Sequence, residues 1–297
     1  MKIKEIDSRN KSSDSISELK KKIFEEVSKV KNYTPKIGVF GDSGVGKSSL
    51  CNALFGKDVA AISDVEACTR KPQEILIGSK EGQGGIILLD VPGIGENLER
   101  HAEYMALYES LVPKLDLVIW AIKADSRSLA SSIEAYNKVL RHHEEVCPTI
   151  FVLTQVDKVE PYREWDVNRN IPGPNQEANI VRKILDVSKL FDVSTNKIVA
   201  VSSSDKYNLT ELVEKIVNVL PREKKFSFTR EANEENVSEK VAFEAQKGIF
   251  DYVKEKAGEA WDYVKDDVVS VVKDMVAASL PKVASGAFKL IKSFFKW

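Results

Sequence analysis

Residues Gly41 to Ser48 read GDSGVGKS: a glycine, four residues, then Gly46, Lys47 and Ser48. Glycines let backbone N–H groups converge on an oxyanion. A helix starting directly afterwards adds the positive end of its dipole. In the pattern G-x-x-x-x-G-K-[ST] the lysine lies on the β and γ phosphates of a nucleotide, and the hydroxyl gives an oxygen to Mg²⁺. The flanks agree, since the apolar run KIGVF reads as a strand and SSLCNALFG as a helix. Asp42, Ser43, Gly44, Val45, Gly46, Lys47, Ser48 and Ser49 are the expected phosphate cradle. Lys47 is the expected catalytic cation and Ser48 a metal ligand.

A phosphate cradle does not choose a base. Asp90 to Gly93, DVPG, ends another apolar run and fits a D-x-x-G element. There Asp90 would hold Mg²⁺ through a water, and the Gly93 N–H would meet the γ-phosphate. Two stretches compete for the base reader, usually [NT]-K-x-D. Ile122 to Asp125, IKAD, has the lysine but no leading polar residue; Thr154 to Asp157, TQVD, has Thr154 and Asp157 with Gln155 in place of lysine. Strand order favours Thr154 to Asp157, because IKAD comes one strand early. A carboxylate at Asp157 accepts from guanine N1–H and the 2-amino group. Adenine offers neither donor, and an unpaired buried carboxylate is costly. Ser202, Ser203 and Ser204 follow the last strand, where a backbone N–H would meet guanine O6. The nucleotide expected is GTP or GDP.

Six apolar, β-branched runs between Pro35 and Pro221 (KIGVF, EILIGS, GIILLD, LDLVIWAI, TIFVLT and KIVAVS) alternate with helical patterns. This predicts an α/β domain over 35–222, a mainly parallel six-stranded sheet flanked by helices. Lys158 to Gln176 reads as a long loop before a helix at 177–190. Residues 1–34 read as a polar arm and an amphipathic helix opened by a Ser15–Glu18 capping box. Residues 223–242 read as a charged linker. Residues 243–297 read as an amphipathic helical tail, with one stripe from Ile249 to Ser279 that Pro281 interrupts. FDYVKEK at Phe250 is echoed by WDYVKDD at Trp261, repeating one helix face.

The 44 basic and 45 acidic residues nearly cancel, so overall charge gives no strong nucleic-acid signal. The cysteines at 51, 68 and 147 are too scattered for a metal site and fit a reducing, cytoplasmic setting. The polar N-terminus does not read as a signal peptide, and no run of about 18 apolar residues predicts a spanning helix. His101, His142 and His143 read as structural or solvated.

These motifs resemble the Era-related P-loop GTPases of the translation-factor-like class. More narrowly they are similar to a small bacterial subgroup sharing GDSGVGKSSLCNALF, ACTRKPQ, DVPGIGE, LVIWAIKADSRSL and LTQVDKVEPYREWD, over Lys36 to Pro221. The resemblance implies GTP hydrolysis with Mg²⁺. It implies that Thr69, in ACTR, joins the metal in the GTP state and takes part in catalysis. Ras-like enzymes orient water with a glutamine after the D-x-x-G glycine, but Ile94 stands here and cannot. The water-positioning residue is therefore unassigned; Glu96 and Arg70 read as solvated. Some relatives bind potassium through a P-loop asparagine, and Gly44 occupies that position. Intrinsic hydrolysis is expected to be slow, raised by a protein partner or by homodimerisation.

Residues 282–297, KVASGAFKLIKSFFKW, hold lysines and bulky aromatics without an acid. That composition suits an anionic membrane surface, and packing on the GTPase domain is the competing expectation. The expected function is a GTP-binding switch acting on an effector. Alternatives are a nucleotide-driven scaffold at a membrane and a ribosome-assembly GTPase.

Overall fold

Near-continuous apolar strands need cover on both faces, and six strands lie in one sheet between two layers of helices. The computed structural model describes residues 17–18, 20–42, 44–56, 73–78, 85–90 and 101–295; of Gln73, Asp90, His101 and residues 292–295 it describes the backbone alone. Helix α1 spans 20–32. There follow β1 (Lys36–Phe40), α2 (Lys47–Phe55), β2 (Gln73–Ile77), β3 (Ile86–Asp90), α3 (His101–Leu111), β4 (Leu117–Lys123), α4 (Ala130–Ala135), β5 (Thr149–Thr154), α5 (Pro174–Phe191) and β6 (Ile198–Ala200). The chain continues through α6 (Leu209–Val219), α7 (Arg222–Glu231), α8 (Glu239–Ala257), α9 (Trp261–Ser279) and α10 (Ala284–Phe295).

The strand order is β2-β3-β1-β4-β5-β6. All pairs are parallel except the edge strand β2, which runs antiparallel to β3. The chain passes from β1 to β2 and β3 on one side and then from β3 to β4 on the other side of β1, so a crevice opens at the carboxyl ends of β1 and its neighbours. Strand residues alternate between two cores. Leu117 and Ile119 join α2 and α6 on one face; Val118, Trp120 and Ile122 join α3 and α5 on the other. Helix α5 begins at Pro174, three residues before the expected start, because proline suits the first helical position.

Two C-terminal expectations are corrected. Residues 223–242, read as a linker, form α7, a short turn at Glu234–Asn236 and the start of α8. Phe226 and Phe228 sit among the charges and are fully buried, and the Phe228 ring meets Phe55 of α2 edge-on at 5.9 Å. Average charge hid these two aromatic anchors. The single stripe from Ile249 to Ser279 is divided between α8 and α9 at Gly258, whose φ of 54° ends the first helix. Phe250 is buried, whereas its echo Trp261 is only partly covered.

Helix α1 is bonded to α7 and α8. Ser227 Oγ donates to the Val30 carbonyl at 3.0 Å, and Tyr252 donates to Glu26 at 3.0 Å. Asp116, nearly buried in front of β4, accepts from Tyr33, the Lys36 N–H and Lys224 of α7. The apolar faces of α8, α9 and α10 share the core of β1 and α6. Ala287 and Ile291 are 0% exposed, which turns that face of the proposed membrane segment towards protein. The side chains of 292–297 lie outside the described residues, as do Ser15 and all of 1–16. Among the described residues no helix is long and apolar enough to cross a membrane.

Phe228→Ala should lower stability by about 3–5 kcal/mol, the cost of a cavity in a packed core, measured by urea unfolding. A change under about 1 kcal/mol would place α7 outside the cooperative unit.

Candidate nucleotide-binding site

Helix α2 starts at Lys47 after Gly46, whose φ of 90° is left-handed, and no side chain caps it. No acidic residue lies in its first turn. Its first N–H groups therefore carry an uncompensated positive end towards the crevice. Lys47 Nζ folds back over the loop, donating to the carbonyls of Gly41 at 3.0 Å and Asp42 at 3.1 Å. Gly41 packs against β4: a Cβ there would stand 2.3 Å from the Ala121 carbonyl oxygen, at a φ of 140°. Only glycine permits this approach.

Across β4, Thr154 ends β5 and is buried. Its hydroxyl donates to the Val45 carbonyl at 2.6 Å, with Ile122 O at 3.3 Å. Gln155 is left-handed (φ 57°), and its Nε2 donates to the Gly44 carbonyl at 3.3 Å. Lys158 donates to Gln155 Oε1 at 3.0 Å. Asp157 Oδ1 is buried without a hydrogen-bond partner. A lone carboxylate oxygen of this kind awaits a donor.

A cavity of about 680 Å³ joins these parts, lined by Gly46, Ser49, Thr154, Gln155, Asp157, Ser203 and Ser204 among others. The sequence-predicted residues from the cradle, the base reader and the serine loop thus meet at one opening. Ser202 lies beneath it, fully buried: its hydroxyl donates to Asp205 at 2.8 Å and its N–H donates to Tyr207 O. Asp42 and Val45 serve the loop through their carbonyls, and Ser48 is half-buried in the first turn of α2. The competing IKAD residues, Lys123 and Asp125, pair with each other at 3.1 Å.

Ser43, Thr69 and Gly93 lie outside the described residues, as do Arg70, Ile94 and Glu96. Asp90 is described by its backbone, which ends β3 in register with Val39, beside the start of the loop. Ser48 and Asp90 offer hydroxyl and carboxylate oxygens, hard donors that suit Mg²⁺.

Some lining residues were missed. Asn52 on α2, Lys158, Lys206 and the Asn233–Asn236 segment also line the cavity. The Asn233 N–H and Asn236 Nδ2 donate to the carbonyls of Leu54 and Ala53, closing the end of α2. Lys206 pairs with Glu235 at 2.6 Å. The only signal was the cluster EANEEN, which averages as linker.

Residues 36–155 match the family described as 50S ribosome-binding GTPase. The uncharacterized protein YfjP of Escherichia coli (strain K12) is 39% identical over 206 residues, covering 68% of each chain. The chain belongs to the Era-related P-loop GTPases. GTPase Era of Clostridium kluyveri is 24% identical to this GTPase over 191 residues, covering 64% of this chain and 57% of that one. A crystal structure of Era with MgGDPNP and 16S ribosomal RNA aligns with a TM-score of 0.47 at 24% identity, covering 64% of this chain and 58% of Era. This GTPase thus spans little more than half the length of the Era proteins it matches.

Replacing Thr154 with valine removes the bond to Val45 and leaves a buried carbonyl unpaired. It should cost about 1–3 kcal/mol of stability, and weaken nucleotide binding, both read by thermal shift with and without GDP. Unchanged binding would show that the loop needs no tether.

Proposed function

We propose that this GTPase is a molecular switch that binds GTP with Mg²⁺ and hydrolyses it to GDP and phosphate, slowly unless a partner or self-association stimulates it. One observation supports the reading most strongly: Asp157, whose Oδ1 is buried without a hydrogen-bond partner, lines the same cavity as Gly46 and Ser49 at the uncapped start of α2. The carboxylate suits the two donors of the guanine edge, while the amides and Lys47 suit phosphate oxygens. Ser48 would hold Mg²⁺ directly, Asp90 through a water, and Thr69 in the GTP state; the ion would supply neutralisation of phosphate charge. Lys47 releases the carbonyls of Gly41 and Asp42 to stabilise charge on the transferred group. Contact of the γ-phosphate with Thr69 and Gly93 is the switching step.

A ribosome-associated role is the second reading. The description of the family matched over residues 36–155 favours it.

Calorimetry with Mg²⁺ should find GDP bound at least about a hundredfold more tightly than ADP. Phosphate release from GTP should be slow in the isolated chain, and Lys47→Ala should lower it about 10²-fold or more. Equal binding of ADP, or rapid hydrolysis by the monomer, would contradict the proposal.

A further inference from the structure

The stretch from Lys158 to Gln176 follows the base-reading turn, and the switch proposed above makes no use of it. Gln176 lies in the first turn of α5 and is 0% exposed. Its Nε2 stands 3.4, 3.1 and 2.9 Å from the carbonyl oxygens of Val156, Asp157 and Val159. Those carbonyls belong to the turn that carries Asp157. The Oε1 of the same amide is buried without a partner, so the side chain serves the turn through its donors.

Gln176 is itself held. The Glu164 carboxylate accepts from the N–H of Asn175 at 2.9 Å and of Gln176 at 3.4 Å, and from Asn175 Nδ2 at 2.7 Å. It caps the start of α5, and the Asn175 amide draws its carboxyl below the usual range. One turn further, Asn179 donates to the Glu160 carbonyl at 2.6 Å. One face of α5 thus clasps the loop from Val156 to Glu160. This bracing accompanies Gln155, which replaces the lysine of the usual reading pattern and leans on Gly44.

We infer that Gln176 is a positioning residue for guanine recognition, fixing the Val156–Val159 turn so that the Asp157 carboxylate meets the edge of the base. The inference rests on the reading of Asp157 as the group that recognises guanine. Gln176 is buried and does not line the cavity. A displaced turn loses the two-point contact with N1–H and the 2-amino group and leaves the phosphate cradle intact.

Calorimetry on the full chain with Mg²⁺ tests this, comparing GDP with IDP, which lacks the 2-amino group. Asp157→Ala should cut the GDP-over-IDP preference about tenfold or more. Gln176→Met, matched in length but without donors, should cut it at least about fivefold, GDP affinity falling more than IDP affinity because IDP has only the N1–H contact to lose. Glu164→Ala should shift the ratio in the same direction by less, and it decides the matter if Gln176→Met fails to fold. A ratio unchanged in Gln176→Met, or in Glu164→Ala where that variant decides, overturns the inference. So does a proportional fall for both nucleotides, which marks a purely structural role. A ratio unchanged in Asp157→Ala would instead overturn the reading of the base itself.

Discussion

The hydroxyl of Thr154 reaches across β4 to the carbonyl of Val45 at 2.6 Å, in a place closed to water. It ties the end of β5, and with it the turn that carries Asp157, to the phosphate loop. Strand order makes this possible. β1 and β4 are neighbours and β5 lies next, so the three carboxyl ends open on one side. Gly41 supplies the complement by letting the loop rest on the Ala121 carbonyl. A buried hydrogen bond of this kind contributes about 1 kcal/mol net, yet losing it leaves the Val45 carbonyl unpaired at the centre of the site.

The C-terminal helices belong to the same physical unit as the sheet. Phe226 and Phe228 fill the core beside Phe55, and the Asn233–Asn236 segment satisfies the last carbonyls of α2. Helix α2 is thus finished by residues from beyond the sheet. The exposed Lys206–Glu235 pair adds little by itself, since surface ion pairs are worth about 0–1 kcal/mol. Apolar contact and buried amides hold this junction.

Much of this was legible in the sequence, because glycines, a lysine and carboxylates were fixed by chemistry at known spacings. The P-loop and the six apolar runs needed no tertiary information. The choice of TQVD over IKAD rested on counting strands, and Thr154, Gln155 and Asp157 line the cavity. What escaped reading depends on contacts between distant residues. Charge averages turned REKKFSFTRE into a linker, although two phenylalanines in it are buried. Periodicity ran across Gly258 because a left-handed residue leaves the apolar stripe unbroken. Gln176 gave no signal at all: its partners are backbone carbonyls, which every sequence has.

The central claim is that one cavity grips phosphate on α2 and reads guanine on Asp157. The most direct measurement is a crystal structure of the full chain with Mg²⁺ and GDP. The account predicts guanine N1 and N2 within about 2.7–3.2 Å of the Asp157 carboxylate, with the β-phosphate on the amides of residues 44–48. A base lying away from Asp157, with the phosphates still on α2, would contradict it.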